Sequence, residues 1–145
     1  MSIDTSALPL CAAGYFCISS ATTRYPTSLA PGKFGPCPAG YFCPEGTGDY
    51  SLNFCPKGTF SNQERATDIS YCIPCPPGYM CEATGLTAPQ SACEAGTTCS
   101  YTGTSPNFTL VVAQCTANHY CPIGSYNELI CPAGFFQLDP SIGYC

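Results

Sequence analysis

Cys37-Pro38-Ala39-Gly40-Tyr41-Phe42-Cys43 decides how the rest of this chain is read, because its elements return along the whole length. Proline after cysteine presets φ for the second position of a turn. The glycine two residues later stands where a type I turn ends and the backbone often needs a left-handed conformation. Two aromatic residues follow, and a cysteine closes the segment. Working outward, related starts stand at Cys11 (CAAGYFC), Cys55 (CPKGTFS), Cys75 (CPPGYMC), Cys93 (CEAGTTC), Cys115 (CTANHYC) and Cys131 (CPAGFFQ). The steps between them are 26, 18, 20, 18, 22 and 16 residues, a period near twenty that marks a repeat architecture. Glycine holds the fourth position in six units, and Asn118 holds it in the seventh. Asparagine is the other residue that tolerates positive φ, so the exception makes the same backbone demand.

The chain divides into an extension, residues 1–10, and an array, residues 11–145, with units beginning near 11, 37, 55, 75, 93, 115 and 131. After each turn the aromatic pair (Tyr15 and Phe16, Tyr41 and Phe42, His119 and Tyr120, Phe135 and Phe136) reads as a short strand whose adjacent rings point to opposite faces. One ring then covers a disulfide and the other meets a neighbour. Cys43-Pro-Glu-Gly and Cys121-Pro-Ile-Gly repeat the turn inside their units. Helical periodicity is absent. The expected fold is small and disulfide-rich, mostly irregular with short β-hairpins, an elongated array in which each unit contacts chiefly its neighbours.

Composition supports that reading. Of 145 residues, 14 are Cys, 15 Pro and 14 Gly, while charged residues make up 9% and Trp is missing. So much cysteine with so little charge is the mark of a disulfide scaffold, in which cross-links substitute for a large core. The net charge of −5 comes from nine scattered carboxylates, Asp4 to Asp139, against Arg24, Lys33, Lys57 and Arg65. Four separated cations do not neutralise a phosphate backbone, so nucleic acid is not expected as a partner. The longest aliphatic run, Leu110 to Ala113, falls far short of the roughly 20 apolar residues of a membrane helix, and no transmembrane segment is expected. Residues 1–10 lack the pattern of a signal peptide, although the cysteines ask for an oxidising compartment. Met1 is therefore not expected to be the start of the full precursor: a leader is missing, or the chain is a fragment.

Cys55 to Met80 reads CPKGTFSNQERATDISYCIPCPPGYM. The order Cys-Pro-x-Gly-Thr-aromatic-Ser, a closing Cys, two residues and a new Cys-Pro-x-Gly resembles the ephrin-receptor-like cysteine-rich repeats of extracellular proteins. The loop Cys131 to Cys145 is also similar to the first module of tumour-necrosis-factor receptor repeats. The likeness runs from Cys11 onward, strongest in Cys37 to Cys81 and Cys131 to Cys145. Cys-x5-Cys at five starts departs from the simplest pattern of that family, since position seven is Ser61 or Gln137 in the two closest units. The resemblance implies an extracellular setting, a stalk, array or adhesive role, and no catalysis. It also implies pairing of Cys55 with Cys72 and of Cys131 with Cys145. For Cys11, Cys17, Cys37, Cys43, Cys75, Cys81, Cys93, Cys99, Cys115 and Cys121 two schemes stay open: each Cys-x5-Cys pair closes on itself, or each second Cys bonds the next unit.

A zinc site needs paired Cys-x2-Cys knuckles or several histidines, whereas the chain has one such spacing, Cys72 with Cys75, and one histidine, His119. A thioredoxin-like site at that pair lacks the surrounding strand and helix. His119 occupies a position where sister units carry Tyr, Phe or Thr, which reads as a structural ring. No catalytic residue and no cofactor is expected. Covalent glycans are: Ser19, Ser20, Thr22, Thr23, Thr27 and Ser28 crowd one interval with proline, and Thr97, Thr98, Ser100, Thr102, Thr104 and Ser105 another beside Pro106, a composition that suggests O-linked sugar, on Thr102, Thr104 and Ser105 in the second, with plain exposed turn chemistry as the alternative. Asn107-Phe108-Thr109 is the one complete N-linked sequon, of a kind found on surface loops.

These features point to an extracellular or cell-surface structural glycoprotein. A rod cut at its own period has unlike ends, which would stack head to tail into a filament, stalk or coat, the partner being the chain itself. The alternative is a receptor or adhesion ectodomain module that binds a protein or carbohydrate. No interval shows the clustered Arg and Tyr of a binding hot spot, which ranks it second. A small inhibitor or toxin fits the cysteine content but not the period.

Overall fold

A computed structural model describes residues 9–19, 21–30 and 32–145. Ten short strands form five separate antiparallel pairs: β1 (Tyr15–Cys17) with β2 (Phe34–Pro36), β3 (Thr59–Phe60) with β4 (Ile73–Pro74), β5 (Tyr79–Met80) with β6 (Ser91–Ala92), β7 (Thr97–Thr104) with β8 (Asn107–Gln114), and β9 (His119–Tyr120) with β10 (Leu129–Ile130). A lone bridge, Tyr41 to Phe54, stands where unit 2 would have its pair. The only helical turns among the described residues are of the 3-10 type, Tyr50–Leu52 and Ile69–Tyr71. The chain is a cysteine-rich, disulfide-bonded repeat fold. Residues 1–8 of the N-terminal extension, and with them Met1, lie outside the described residues, as do Ser20 and Pro31.

Each pair follows one rule. The residues after the turn of one unit pair with the residues just before the first Cys of the next. The turn itself works as the sequence demands: Gly14, Gly40, Gly58, Gly78, Gly96 and Gly134 have φ between 82° and 89°, and Asn118 has 66°. All fourteen cysteines are bonded. Five disulfides close locally, Cys11–Cys17, Cys37–Cys43, Cys75–Cys81, Cys93–Cys99 and Cys115–Cys121, and two span longer loops, Cys55–Cys72 and Cys131–Cys145. Closing a seven-residue loop stabilises by about 2.4 kcal/mol in the chain-entropy account.

Backbone hydrogen bonds between units repeat as regularly as the sequence. At all six junctions the first Cys N–H of one unit donates to the fourth-position carbonyl of the unit before: Cys37 to Gly14, Cys55 to Gly40, Cys75 to Gly58, Cys93 to Gly78, Cys115 to Gly96 and Cys131 to Asn118, at 2.8–3.0 Å. Where the following unit has Cys at position seven, the fourth-position N–H donates back to that Cys: Gly14 to Cys43, Gly58 to Cys81, Gly78 to Cys99 and Gly96 to Cys121. A second turn then reaches backward, Gly46 N–H to Cys11 O, Arg65 to Cys37, Gly85 to Cys55 and Gly124 to Cys93. Arg65, with φ 64°, does there what glycine does in the other three.

Contacts also extend one unit further than the sequence suggests. A side-chain carbon at Gly14 would stand 2.7 Å from the Arg65 carbonyl, two units on, and one at Gly58 2.6 Å from Phe108 Cβ. Gly40 against Gly85, Gly78 against Gly124 and Gly96 against Ser141 leave still less room. Glycine at the fourth position thus answers both a positive φ and a backbone approach from unit i+2.

Burial matches the composition. Of the buried hydrophobic residues, eleven are cysteines and the others are Ala12, Phe16 and Ala66. Phe16 lies with the Cys37–Cys43 disulfide of the next unit and with Tyr41 and Tyr50, while Tyr15 meets Tyr25 edge-on at 5.8 Å. The disulfides and the rings laid on them are the core.

One element corrects the reading of the sequence. Residues 97–105 are not an exposed turn region. Thr97–Thr104 is the first strand of an eight-pair hairpin, registered from Thr97 against Gln114 to Thr104 against Asn107, with Ser105-Pro106 at its tip. The Thr, Val and aromatic residues of these strands have the branched or flat side chains a pleated surface favours, and they outweigh the turn preference of serine and threonine. Asn107 accordingly begins β8 and does not lie in a loop.

Candidate interaction surface

The hairpin replaces the second turn of unit 5, and Tyr101 makes the replacement work. In four units the position-seven N–H donates to the carbonyl just after the second turn of the next unit: Cys17 to Thr47, Cys43 to Ala66, Ser61 to Leu86 and Cys99 to Ser125. For buried Cys81 the acceptor is the Tyr101 hydroxyl, at 2.8 Å, which in turn donates to Glu82 Oε1 at 2.8 Å. Burial, together with the Glu82 hydrogen bond and charge, pushes the phenol up to about 12 despite the opposing Cys81 N–H. Nothing in the local sequence distinguishes Tyr101 from the other nine tyrosines; its role comes from a contact twenty residues away.

The opening turn of unit 6, Cys115-Thr-Ala-Asn118, has neither Pro nor Gly, and Glu128 stabilises it from outside. Thr116, standing where four other units have Pro, keeps an N–H that donates to Glu128 Oε1 at 2.7 Å, and its hydroxyl donates to Oε2 at 2.9 Å. Those two donors, the backbone one foremost, with His119 nearby, hold the Glu128 carboxyl below the ordinary range. His119 Nδ1 stands 3.1 Å from the Ala117 carbonyl and 3.2 Å from the Thr116 hydroxyl. Cys72 and Cys75 are bonded to Cys55 and Cys81. No group of three His, Cys, Asp or Glu side chains among the described residues is placed to hold a metal.

The residues singled out for sugar form two surfaces. Ser19, Thr22, Thr23, Thr27 and Ser28 are exposed on the loop between β1 and β2, and Thr102, Thr104, Ser105 and Asn107 are exposed at the far end of the hairpin. Strand alternation places Thr102, Thr104, Asn107 and Thr109 on one face, while Phe108 turns to the other and meets Gly58.

The largest concentration of uncovered apolar surface lies in units 6 and 7. Ile130, Phe135, Phe136, Leu138 and Tyr144 are each exposed by 65% or more, whereas Phe16, at the position equivalent to Phe136, is 1% exposed. Gly134, unlike its counterparts in the first five units, has nothing within 4 Å of where a side chain would begin. Beside it, Tyr120, Pro132, Phe135, Tyr144 and Cys145 line a groove of about 240 Å³. In the same unit the Asp139 carboxylate accepts from the Ser141 N–H at 2.9 Å and hydroxyl at 2.7 Å, which lowers its pKa. Gln137, in the position-seven place, donates to the Ile142 and Tyr144 carbonyls across the Cys131–Cys145 loop.

No helix of the described residues is long and apolar enough to cross a membrane. In comparisons with protein-family models, curated proteins and solved structures, the chain matches none.

Proposed function

We propose that this chain is an extracellular or cell-surface structural glycoprotein, a disulfide-stapled repeat rod that associates with copies of itself into a filament, stalk or coat. The carrying observation is the exposed apolar surface of units 6 and 7, where Ile130, Phe135, Phe136, Leu138 and Tyr144 stand uncovered. A contiguous exposed apolar surface of this kind is the usual mark of an association site, and a head-to-tail contact between unlike surfaces propagates without closing. Seven disulfides fit an oxidising compartment, and the resemblance to ephrin-receptor-like repeats points the same way. The exposed Ser/Thr loop and Asn107 suit a sugar coat that keeps a chain with 9% charged residues in solution. The role is non-catalytic.

Sedimentation velocity on unreduced protein from a eukaryotic secretory host tests the association. Species larger than the monomer should grow with concentration, and a strict monomer at every concentration would overturn the reading. Intact mass before and after deglycosylation should differ; equality with the bare chain would remove the glycan claim.

A further inference from the structure

The long hairpin leaves one strand edge unused. Cys99, in β7, directs both its backbone groups outside the hairpin: its N–H donates to the Ser125 carbonyl at 3.2 Å, and its carbonyl accepts from the Gly78 N–H at 3.0 Å. Cys99 and its partner Val112 are therefore a pair without mutual hydrogen bonds, and along an antiparallel ladder such pairs alternate with bonded ones. It follows that the N–H and carbonyl groups of Phe108, Leu110, Val112 and Gln114 point away from β7. They make no backbone hydrogen bond among the described residues, and no third strand joins this sheet. Asn107, Thr109, Val111, Val112, Ala113 and Gln114 are all exposed.

An edge of this kind is ordinarily blunted by shortness, a lysine, a proline or a bulge. β8 has eight residues with no charge and no proline, in an unbroken register with β7. The other edges of the array are unlike it. β1 to β6, β9 and β10 have two or three residues each, and the outer edge of β7 is held at Cys99 by units 4 and 6.

We propose that β8 pairs antiparallel with β8 of a second copy of this chain, forming a four-stranded sheet across a two-fold axis. Length and symmetry select the occupant, since among the described residues only another β8 offers the same run of outward backbone groups. The register that uses all of them on both copies sets Phe108 opposite Gln114 and Leu110 opposite Val112, with Val111 opposite Val111 of the second copy on the axis. Each outward pair then exchanges two main-chain hydrogen bonds, the source of affinity when a strand is added to a sheet. No like charges meet, because β8 carries none. Asn107 lies beyond the last pair, so its sequon stands at the rim of the shared sheet. The contact joins copies side by side.

This rests on the self-association proposed above and adds a contact separate from the apolar surface of units 6 and 7. Amide exchange by NMR on the unreduced full-length protein, at low and high concentration, reads it directly. The amides of Phe108, Leu110, Val112 and Gln114 should slow at least about tenfold as the protein associates. Val111→Lys and Val111→Asp should each abolish the slowing, because like charges then stand directly opposite, and an equimolar mixture of the two should restore it. Ser100→Lys, which places the same charge one strand further from the axis, should behave like the wild type. Intact mass showing seven disulfides in each variant serves as the folding control. If the wild type associates by sedimentation velocity while these amides exchange unchanged, the edge pairing is overturned and self-association stands. Failure of the mixture to restore protection, or its loss in Ser100→Lys, would also overturn the pairing. A wild type that stays monomeric at every concentration overturns both.

Discussion

Replacing Gly78 and Gly134 with alanine, one at a time, separates the two demands on the repeat's glycine. Their φ values are 86° and 89°, so the conformational cost of a side chain is the same at both, about 1–2 kcal/mol. Their surroundings differ. At Gly134 nothing lies within 4 Å of the new carbon, whereas at Gly78 it would run into the Gly124 carbonyl of the next unit but one. Relief of that overlap must move unit 4 against unit 6 and strain the bonds Gly78 makes, its N–H to Cys99 O at 3.0 Å and its carbonyl from Cys93 N–H at 2.9 Å. Two such bonds are worth about 0.5–1.5 kcal/mol each, so Gly78→Ala should cost roughly 2–5 kcal/mol in total. At about 3 °C per kcal/mol for a chain of this size, Gly134→Ala should lower Tm by about 3–6 °C and Gly78→Ala by about 6–15 °C. The assay is thermal unfolding followed by near-ultraviolet circular dichroism without reductant, after peptide mapping of the disulfides in both variants. Equal shifts would refute the packing of unit i on unit i+2 as a determinant of stability.

Asn118, with φ 66°, should be replaceable by Gly with little change, while Asn118→Ala should cost about 1 kcal/mol, read from chemical denaturation. Tyr101→Phe leaves the buried Cys81 N–H without its acceptor, at about 1–3 kcal/mol, and amide exchange at Cys81 should accelerate at least about fivefold, while Tyr126→Phe leaves it unchanged. Because the folded Tyr101 phenol is raised to about 12 from an ordinary value of 10, its contribution to stability is complete below pH 10 and is lost as pH rises toward 12. An ultraviolet titration of the wild type should accordingly show a late-ionising tyrosine that Tyr101→Phe removes. Asp49, Asp68 and Asp139 have pKa values lowered by their serine donors, so they stabilise the fold above the unfolded carboxylate range and that contribution fades as pH falls below about 4. Changing all three to Asn should flatten the acid limb of a Tm-versus-pH curve.

The sequence is most legible where a residue acts on its own backbone. The Cys-Pro-x-Gly turns and the substitution of Asn118 for glycine follow from φ preferences, and the structure places both as expected. It is less legible where the partner is distant. Arg65 adopts positive φ because its N–H must reach Cys37, and arginine carries no local sign of that demand. Tyr101 stands in for a carbonyl only because β7 and β8 displace the second turn of unit 5. The hydroxyl-rich run from Thr97 suggested an exposed turn because serine and threonine serve both turns and strands; pairing with the valines of β8 decides between them.

The claim that this disulfide-stapled array is a self-assembling structural element is tested most directly by negative-stain electron microscopy of native, unreduced protein at rising concentration. The account predicts linear assemblies that lengthen with concentration and break down when the disulfides are reduced. Isolated particles of monomer size at every concentration, together with a tight and saturable extracellular ligand recovered by pull-down, would contradict it.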